Sequence, residues 1–240
     1  MRRYRTPLRE CRRLTRSAHT LLASAVDALS STRRGPDVVV QAMILTQLSN
    51  QARLVTLAAE RGYPLQALAS LATAYELAAY VGFIGERAHR AQQWQSPSDT
   101  HNSFPSSRHR RSAIRDLLMA GSVPDSALDA QVAAWEKRYE FYCMAKHGNP
   151  AILRRYGHKS DRDRVTLFQG PVGGAGYYEL AQVSMIRSSH LLLMAVSVLV
   201  RPHLEGLPRE TARRLIHHVR RAALQLRDAA ACLPQRPGAA

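Results

Sequence analysis

The stretch 65–94 constrains the fold of this chain more than any other part of the sequence. Its small and apolar residues recur at steps of three and four, which is the spacing of one helix face, and Pro64 before it is a typical helix start. A helix of this length would cross a whole domain. The stretch therefore predicts a long central helix, whose buried face consists of Leu68, Leu71, Ala72, Tyr75, Ala79, Gly82 and Phe83.

The rest of the chain also favours helices. Hydrophobic residues make up 45% of the 240 residues and charged ones 22%, a balance typical of a globular protein with a sizeable core. Ala, Leu and Arg are abundant and Phe, Ile and Lys are scarce, which favours helix over strand. We therefore expect an all-α fold, a single-domain helical bundle over residues 1–240 with about seven helices, at 8–32, 37–61, 65–94, 112–119, 128–146, 177–201 and 208–233.

Two segments interrupt the helical pattern. Residues 95–108 are rich in Ser, Pro, Asn and Asp, which predicts a mobile loop. Residues 157–176 form an irregular Gly-rich connector. Its QGPVGGAGYY piece lacks a preceding strand, a GK[ST] sequence and the G-x-G-x-x-G spacing, so it does not fit a nucleotide cradle.

The formal net charge of +16 is the strongest global feature. Such a field concentrates polyanions and speeds their encounter, which favours nucleic acid or an anionic membrane surface as a partner. An arginine-rich, lysine-poor composition can also reflect the base composition of a genome, and clustered arginines are often only a solvated helix face. The candidate nucleic-acid-binding residues are Arg108, Arg110, Arg111, Arg214, Arg220 and Arg221.

The cysteines and the lengths of the apolar segments indicate the cellular location of the protein. Cys11, Cys143 and Cys232 are odd in number, far apart and never at metal-ligand spacing, which argues for a reducing compartment without a disulfide framework or a metal site. The N-terminus lacks the apolar core of a signal peptide, and the longest apolar run, 191–200, is too short to span a bilayer. We expect a cytoplasmic protein that needs no cofactor and has no membrane contact.

One helical stripe carries residues that suit proton transfer. Glu140 and His147 share a face of the aromatic-rich helix over 128–146, and a carboxylate can orient an imidazole for general acid or base catalysis. A histidine at a helix end is also commonly a cap stabilised by the helix dipole. Ser/His/Asp orders, paired catalytic carboxylates, HExxH and CxxC are all absent from the sequence.

Polar residues also interrupt the two most apolar helices. Glu76 lies on or beside the buried stripe of the central helix, and Arg187 and His190 lie on the helix over 177–201. A buried charge needs a partner, because an unpaired one is costly. Glu76, Arg187 and His190 are therefore expected to form one polar cluster, which is either a structural ion pair or part of a functional site.

Two segments of the chain combine a helix with a following turn. The first is GYPLQALASLATAYELAAYVGFIGERAHRAQQW, in which a small-residue helix with a Tyr–Glu pair precedes a polar turn and a tryptophan. The second is RYEFYCMAKHGNP, an aromatic helix that ends in a histidine and a turn. Both segments resemble a poorly characterised group of bacterial helical proteins related to the HEPN superfamily. The resemblance implies a small helical bundle, often dimeric, and in many members a metal-independent ribonuclease of toxin or phage-defence systems.

The resemblance also implies a catalytic signature, an arginine followed a few residues later by a histidine. Arg213 and His218 match its spacing, so they join Glu140 and His147 as candidate catalytic residues. The resulting expectation is a HEPN-like protein that acts on or binds RNA, with a homodimer as its assembly. The alternative is a non-enzymatic helical scaffold or protein-interaction subunit, whose charge serves solubility or docking.

Overall fold

The computed structural model describes residues 5–30, 35–85, 87–95, 107–152, 158–161, 164–167 and 175–233. Within these ranges the chain forms eight α-helices, one 3-10 helix and one short β-hairpin. The all-α class is therefore confirmed. The nine helices of the described residues exceed the predicted seven, because one predicted helix is divided and the 3-10 helix was not expected.

The helices follow the predicted order. They are α1 (Arg5–Ser30), α2 (Pro36–Glu60), α3 (Pro64–Ile84), α4 (Ala88–Gln95), α5 (Ser107–Ala120), α6 (Asp125–Lys146), α7 (Ala175–Val200) and α8 (Arg209–Ala231). The 3-10 helix, Arg201–Gly206, joins α7 to α8. The hairpin pairs β1 (His158–Asp161) with β2 (Arg164–Leu167) in antiparallel register, with His158 opposite Leu167 and Asp161 opposite Arg164.

Proline and glycine set the turn between α2 and α3. Gly62 follows α2 with a φ of 81°, a left-handed conformation that favours glycine. Pro64 then occupies the first turn of α3, where its missing N–H removes no helical hydrogen bond. Because this connection is so short, α2 and α3 pack directly against each other.

The single helix predicted over 65–94 is wrong in length. α3 ends at Ile84, and Gly85 adopts a φ of 48°, which a right-handed helix cannot accommodate. The chain resumes as α4 at Ala88. Gly85 was a stop signal present in the sequence, and the predicted helix was extended past it into the polar segment that forms α4.

α3 and α7 form the centre of the bundle, as predicted. α3 packs against α2, α5, α6 and α7, and α7 also packs against α1 and α2. Both helices contribute side chains that have no solvent exposure, among them Leu68, Leu71, Met185 and Leu192. α8 covers the outer side of α1. The candidate sites lie where the peripheral helices α5 and α6 meet α3, and where α8 meets α1.

The two apolar central helices also meet the length and composition of a membrane span. The stretches are Pro64–Ile84 and Tyr177–Gly206, and 67% of each apolar window is buried inside the structure. Buried core helices have the same composition, so this is weak evidence for a membrane location. The cytoplasmic location stays a prediction.

The two predicted irregular segments fall largely outside the described residues. Residues 96–106 of the predicted loop 95–108 are not described, and the positions at its two ends belong to α4 and α5. Of the predicted connector 157–176, the described parts are the hairpin and the start of α7. The hairpin was not expected from this Gly-rich sequence.

Candidate functional site

An aromatic pocket lies between α3, α5 and α6. It has a volume of about 180 Å³ and is lined by Tyr75, Glu76, Ala79, Tyr80, Arg110, Trp135 and Tyr139. The Tyr75 ring lies 4.5 Å from the Trp135 ring and 5.2 Å from the Tyr142 ring, centroid to centroid, in tilted arrangements that stabilise aromatic pairs. The pocket forms because the aromatic residues of α6 recur at helical spacing and face α3.

Two residues of α6 hold the Glu76 carboxylate. The Tyr139 hydroxyl donates a hydrogen bond of 2.9 Å to Oε1, and Lys146 Nζ donates to Oε1 at 3.1 Å and to Oε2 at 3.0 Å. The side chains of Lys146 and Glu76 are 34% and 30% exposed. Glu76 is therefore a partnered carboxylate at the edge of the core.

The partners of Glu76 differ from those predicted. Within the described residues its hydrogen bonds and ion pair go to α6, and none goes to Arg187 or His190 of α7. Neighbouring positions on a helix point about 100° apart, so Tyr75 and Glu76 face different surroundings. The Glu76 side chain meets the Lys146 end of α6, whereas the Tyr75 side chain lies near the charge of Arg187.

Arg187 and His190 belong to a second group, which also includes Arg138 of α6. We call these three residues the inner basic cluster. Burial lowers the pKa of His190, the nearby charges of Arg187 and Arg138 act in the same direction, and together they bring it to about 4. Arg138 Nε is buried without a hydrogen-bond partner. At neutral pH the cluster therefore holds two cations beside a neutral imidazole.

The phenols of the aromatic pocket are held in their protonated form. Burial raises the pKa of Tyr139 well above its usual range, and its interactions with Cys143 and Glu76 raise it further. Burial also raises the pKa of Tyr80, with Glu76 raising it and Arg110 opposing the change. Tyr139 can therefore donate a hydrogen bond, but it is unsuited to accept a proton as a general base.

Arg110 brings a positive charge to one wall of the pocket. Its Cζ lies 5.2 Å from the centroid of the Tyr139 ring, within the range of a cation–π interaction. The side chain is half-buried and takes part in no ion pair among the described residues. Of the three predicted α5 arginines, Arg111 is exposed, and the side chain of Arg108 is outside the described part of the chain.

The predicted pair of Glu140 and His147 does not form a described contact. Both side chains are exposed, and His147 lies just beyond the end of α6, where its backbone N–H donates to the Cys143 carbonyl at 2.9 Å. Neither residue lines the aromatic pocket. The arrangement fits a helix end in contact with solvent.

A basic groove lies between α1 and α8. Its volume is about 550 Å³, and its lining residues are Glu10, Arg13, Arg16, Ser17, Thr20, His218, Arg221, Gln225 and Asp228. Arg13 is bonded to Glu10 at 3.0 Å, whereas Arg16 and Arg221 take part in no ion pair among the described residues. The groove is therefore the more open and more polar of the two sites.

His218 is the candidate catalytic residue that lies in this groove. Partial burial lowers its pKa, and His217, Arg221 and Arg214 lower it further. Arg214 and Arg221 stand four residues before and three after His218, so they share its helix face. Arg213 and Arg214 are both exposed and neither lines the groove, but Arg214 and Arg221 are the arginines whose charges act on this imidazole.

The described residues contain no assembled metal site and no disulfide. Within that part of the chain, no group of three or more His, Cys, Asp or Glu side chains is arranged to hold a metal ion. The three cysteines are free. The candidate sites therefore consist of arginines, aromatic rings, a carboxylate and a histidine.

Comparison of the chain with protein-family models, with curated proteins and with solved structures finds no match. Its sites are interpreted from their own geometry. Four aromatic pocket residues, Tyr75, Tyr80, Trp135 and Tyr139, were missed as site residues, as was Lys146. The aromatic spacing on α6 was a visible signal for Trp135 and Tyr139, and Lys146 follows Tyr139 by seven residues on the same stripe.

Proposed function

We propose that the protein binds RNA and that the basic groove contacts its phosphates. The observation that carries this proposal is the set of exposed arginines on α8, namely Arg213, Arg214, Arg220 and Arg221. Arg221 lines the groove, and none of the four forms an ion pair among the described residues. Arginine side chains bind phosphate through several N–H groups at once. The net charge of +16 and the HEPN resemblance support the same proposal.

Across the groove, α1 adds positive charge to that of α8. Arg16 and Arg9 of α1 are exposed and form no ion pair among the described residues. Two rows of cations on facing helices suit a phosphate backbone better than a single compact anion. A toxin or phage-defence role is part of the proposal through the HEPN resemblance alone.

The binding proposal is tested with a double variant of the two arginines nearest His218, of which Arg221 lines the groove. Arg214→Gln with Arg221→Gln removes two charges beside His218 and is expected to weaken binding to a single-stranded oligoribonucleotide about tenfold or more. The matched control is Arg87→Gln with Arg115→Gln, which removes two charges that pair with Asp116 and Asp129 elsewhere. If the two double variants lose RNA affinity equally, binding depends only on net charge, and the groove is not the binding site.

Cleavage is the catalytic form of the same proposal. The lowered pKa of His218 keeps its imidazole neutral at neutral pH, so it could accept a proton from a ribose hydroxyl. RNA cleavage in the presence of a chelator should then be lost in His218→Ala and retained in His147→Ala. If cleavage is lost in His147→Ala alone, the catalytic histidine lies at the end of α6. If cleavage is unchanged in both variants, neither histidine is catalytic.

A protein-interaction subunit is the second candidate function. Exposed apolar side chains favour it, since Ile216 and Val219 of α8 are each 40% exposed and line a groove with the end of α7 and the 3-10 helix. A second copy of the chain is the proposed occupant, in line with the homodimer that the resemblance implies. Light scattering should then report a dimer that Val219→Glu converts to a monomer, and a monomeric parent protein would oppose it.

A further inference from the structure

The aromatic pocket combines three kinds of group that rarely meet in a purely structural core. Tyr75, Trp135 and Tyr139 supply aromatic surfaces, Glu76 supplies a carboxylate, and Arg110 supplies a guanidinium. A core that served packing alone would gain nothing from placing charged groups next to a cavity. The cavity of about 180 Å³ is a space that none of these side chains fills.

The hydrogen bonds of Glu76 leave a defined acceptor position. Each carboxylate oxygen can accept two hydrogen bonds. Among the described residues, Oε1 accepts from Tyr139 and Lys146, whereas Oε2 accepts from Lys146 alone. One position on Oε2 is therefore open to an N–H donor, while Lys146 and Tyr139 fix the carboxylate in place.

Charge excludes the simplest cationic ligand. Aromatic rings beside a carboxylate would suit a quaternary ammonium group. Lys146 already neutralises Glu76, and Arg110 adds a further positive charge against the Tyr139 ring. The net charge of the pocket is therefore positive, so the ligand needs an anionic group near Arg110.

A nucleotide has all three complementary features. Its base is a flat ring that stacks on aromatic side chains, its ring edge carries an N–H donor, and its phosphate is an anion that arginine binds. The volume is below the roughly 300 Å³ at which pockets for drug-sized ligands begin, so it suits one ring system with the sugar outside.

We propose that the aromatic pocket binds the base of one ribonucleotide, with Glu76 Oε2 accepting an N–H of the base and Arg110 contacting the phosphate. This inference rests on the proposed function in taking an unpaired base of RNA as one source of the ligand. A free mononucleotide carries the same chemistry and is the other source.

Trp135 is a built-in reporter for this site. The chain has two tryptophans, and Trp94→Phe leaves Trp135 as the only one. In this background each of the four ribonucleoside 5′-monophosphates is titrated, together with the matching nucleosides and with inorganic phosphate. Saturable quenching by at least one nucleotide is expected, with weaker binding of its nucleoside and no quenching by phosphate alone.

Two variants in the Trp94→Phe background test the polar contacts. Glu76→Gln keeps the shape of the side chain, and Arg110→Gln removes the guanidinium; each should weaken nucleotide binding about tenfold or more. The control is Arg115→Gln, which removes another exposed arginine of α5 that pairs with Asp129 and does not line the pocket, and it should leave quenching unchanged. Circular dichroism of each variant shows whether the fold is retained.

The outcomes separate this inference from the proposed RNA binding. Quenching by a single-stranded oligoribonucleotide but not by mononucleotides identifies RNA as the source, and tighter binding of a mononucleotide identifies the free nucleotide. The groove variant Arg214→Gln with Arg221→Gln should keep mononucleotide quenching even where RNA binding is lost. The pocket assignment is overturned if no nucleotide and no oligoribonucleotide quenches Trp135. It is also overturned if Glu76→Gln and Arg110→Gln each bind the nucleotide as tightly as the Trp94→Phe protein does.

Discussion

His190 illustrates how burial determines the chemistry of a single residue. Its pKa falls to about 4, because the imidazole is buried on α7 and lies near the cations Arg187 and Arg138. The unfolded chain takes up a proton near the ordinary histidine value of about 6.5, well before the folded protein does. The folded state is therefore favoured most above that pH.

The stability of the protein should fall as the pH falls through this window. His190 alone is expected to reduce the free energy of unfolding by about 2 kcal/mol between pH 7 and pH 5, with no further loss below about pH 4. His19, whose pKa is lowered to about 4 by burial and by Arg53, acts in the same direction. Urea unfolding at a series of pH values measures the total.

Substitution isolates the part that belongs to His190. His190→Gln should flatten the decline between pH 7 and pH 5, because glutamine does not titrate. His147→Gln replaces an exposed histidine and is the matched control, so it should leave the decline unchanged. An unaltered slope in His190→Gln would contradict a buried neutral imidazole.

The contacts of Glu76 give a second prediction at the scale of the residue. Tyr139→Phe removes the hydrogen bond to Oε1 but keeps the ring, and it should cost about 1 kcal/mol of stability. Lys146→Met should cost less, about 0.5 kcal/mol, because the Lys146–Glu76 pair is about one third exposed and screened by solvent.

The predicted stability costs of Lys146→Met and Tyr139→Phe are each tested by a second experiment. The cost of Lys146→Met, measured by urea unfolding, should shrink at high sodium chloride, since salt screens a partly exposed ion pair. Tyr139→Phe should lose most of its cost in a Glu76→Gln background, because the charged acceptor is then absent. A cost that is the same in both backgrounds would mean that the Tyr139 hydroxyl contributes nothing through Glu76.

Among the elements, the contact between α3 and α5 depends on a single glycine. A Cβ built on Gly82 would lie 2.4 Å from the Ala113 carbonyl oxygen and 3.1 Å from Leu117 Cβ. These distances are too short for any side chain at position 82. The two helices can therefore pack this closely only because residue 82 is glycine. This approach also positions α5, which carries Arg110, against the aromatic pocket.

Gly82→Ala is therefore expected to destabilise the protein by about 1–3 kcal/mol, as in other overpacked cores, even though alanine is the better helix former. Gly206→Ala is the matched control, because a Cβ there meets nothing within 4 Å. It should be neutral or slightly stabilising. Thermal unfolding of the two variants compares them, and a stable Gly82→Ala protein would contradict the close approach.

At the scale of the whole molecule, the net charge of +16 gives a prediction that does not depend on any one contact. If the protein binds single-stranded RNA through phosphates, the logarithm of the affinity should fall linearly with the logarithm of salt concentration, by about 0.7 for each phosphate contacted. Arg214→Gln with Arg221→Gln should then reduce the slope by roughly 1.4. Affinity that is independent of salt would rule out phosphate contacts as the basis of binding.

The sequence by itself determined the helical class and most element boundaries. Local signals were sufficient there, because helix periodicity, Pro64 at a helix start and Gly62 at a helix end act within a few residues. The prediction over 65–94 was too long, because the apolar periodicity that ends at Phe83 was extended past the stop at Gly85. The central positions of α3 and α7 also followed from their composition, since helices so apolar must be buried.

Only the tertiary structure decided which polar side chains meet. The sequence indicated that Glu76 needed a partner, but the choice of Lys146 and Tyr139 over Arg187 and His190 depended on how α6 and α7 lie around α3. A rotation of one helix position, about 100°, changes which neighbour a side chain reaches. The aromatic pocket and the basic groove each join residues distant in the chain, and their geometry arises only when the helices pack.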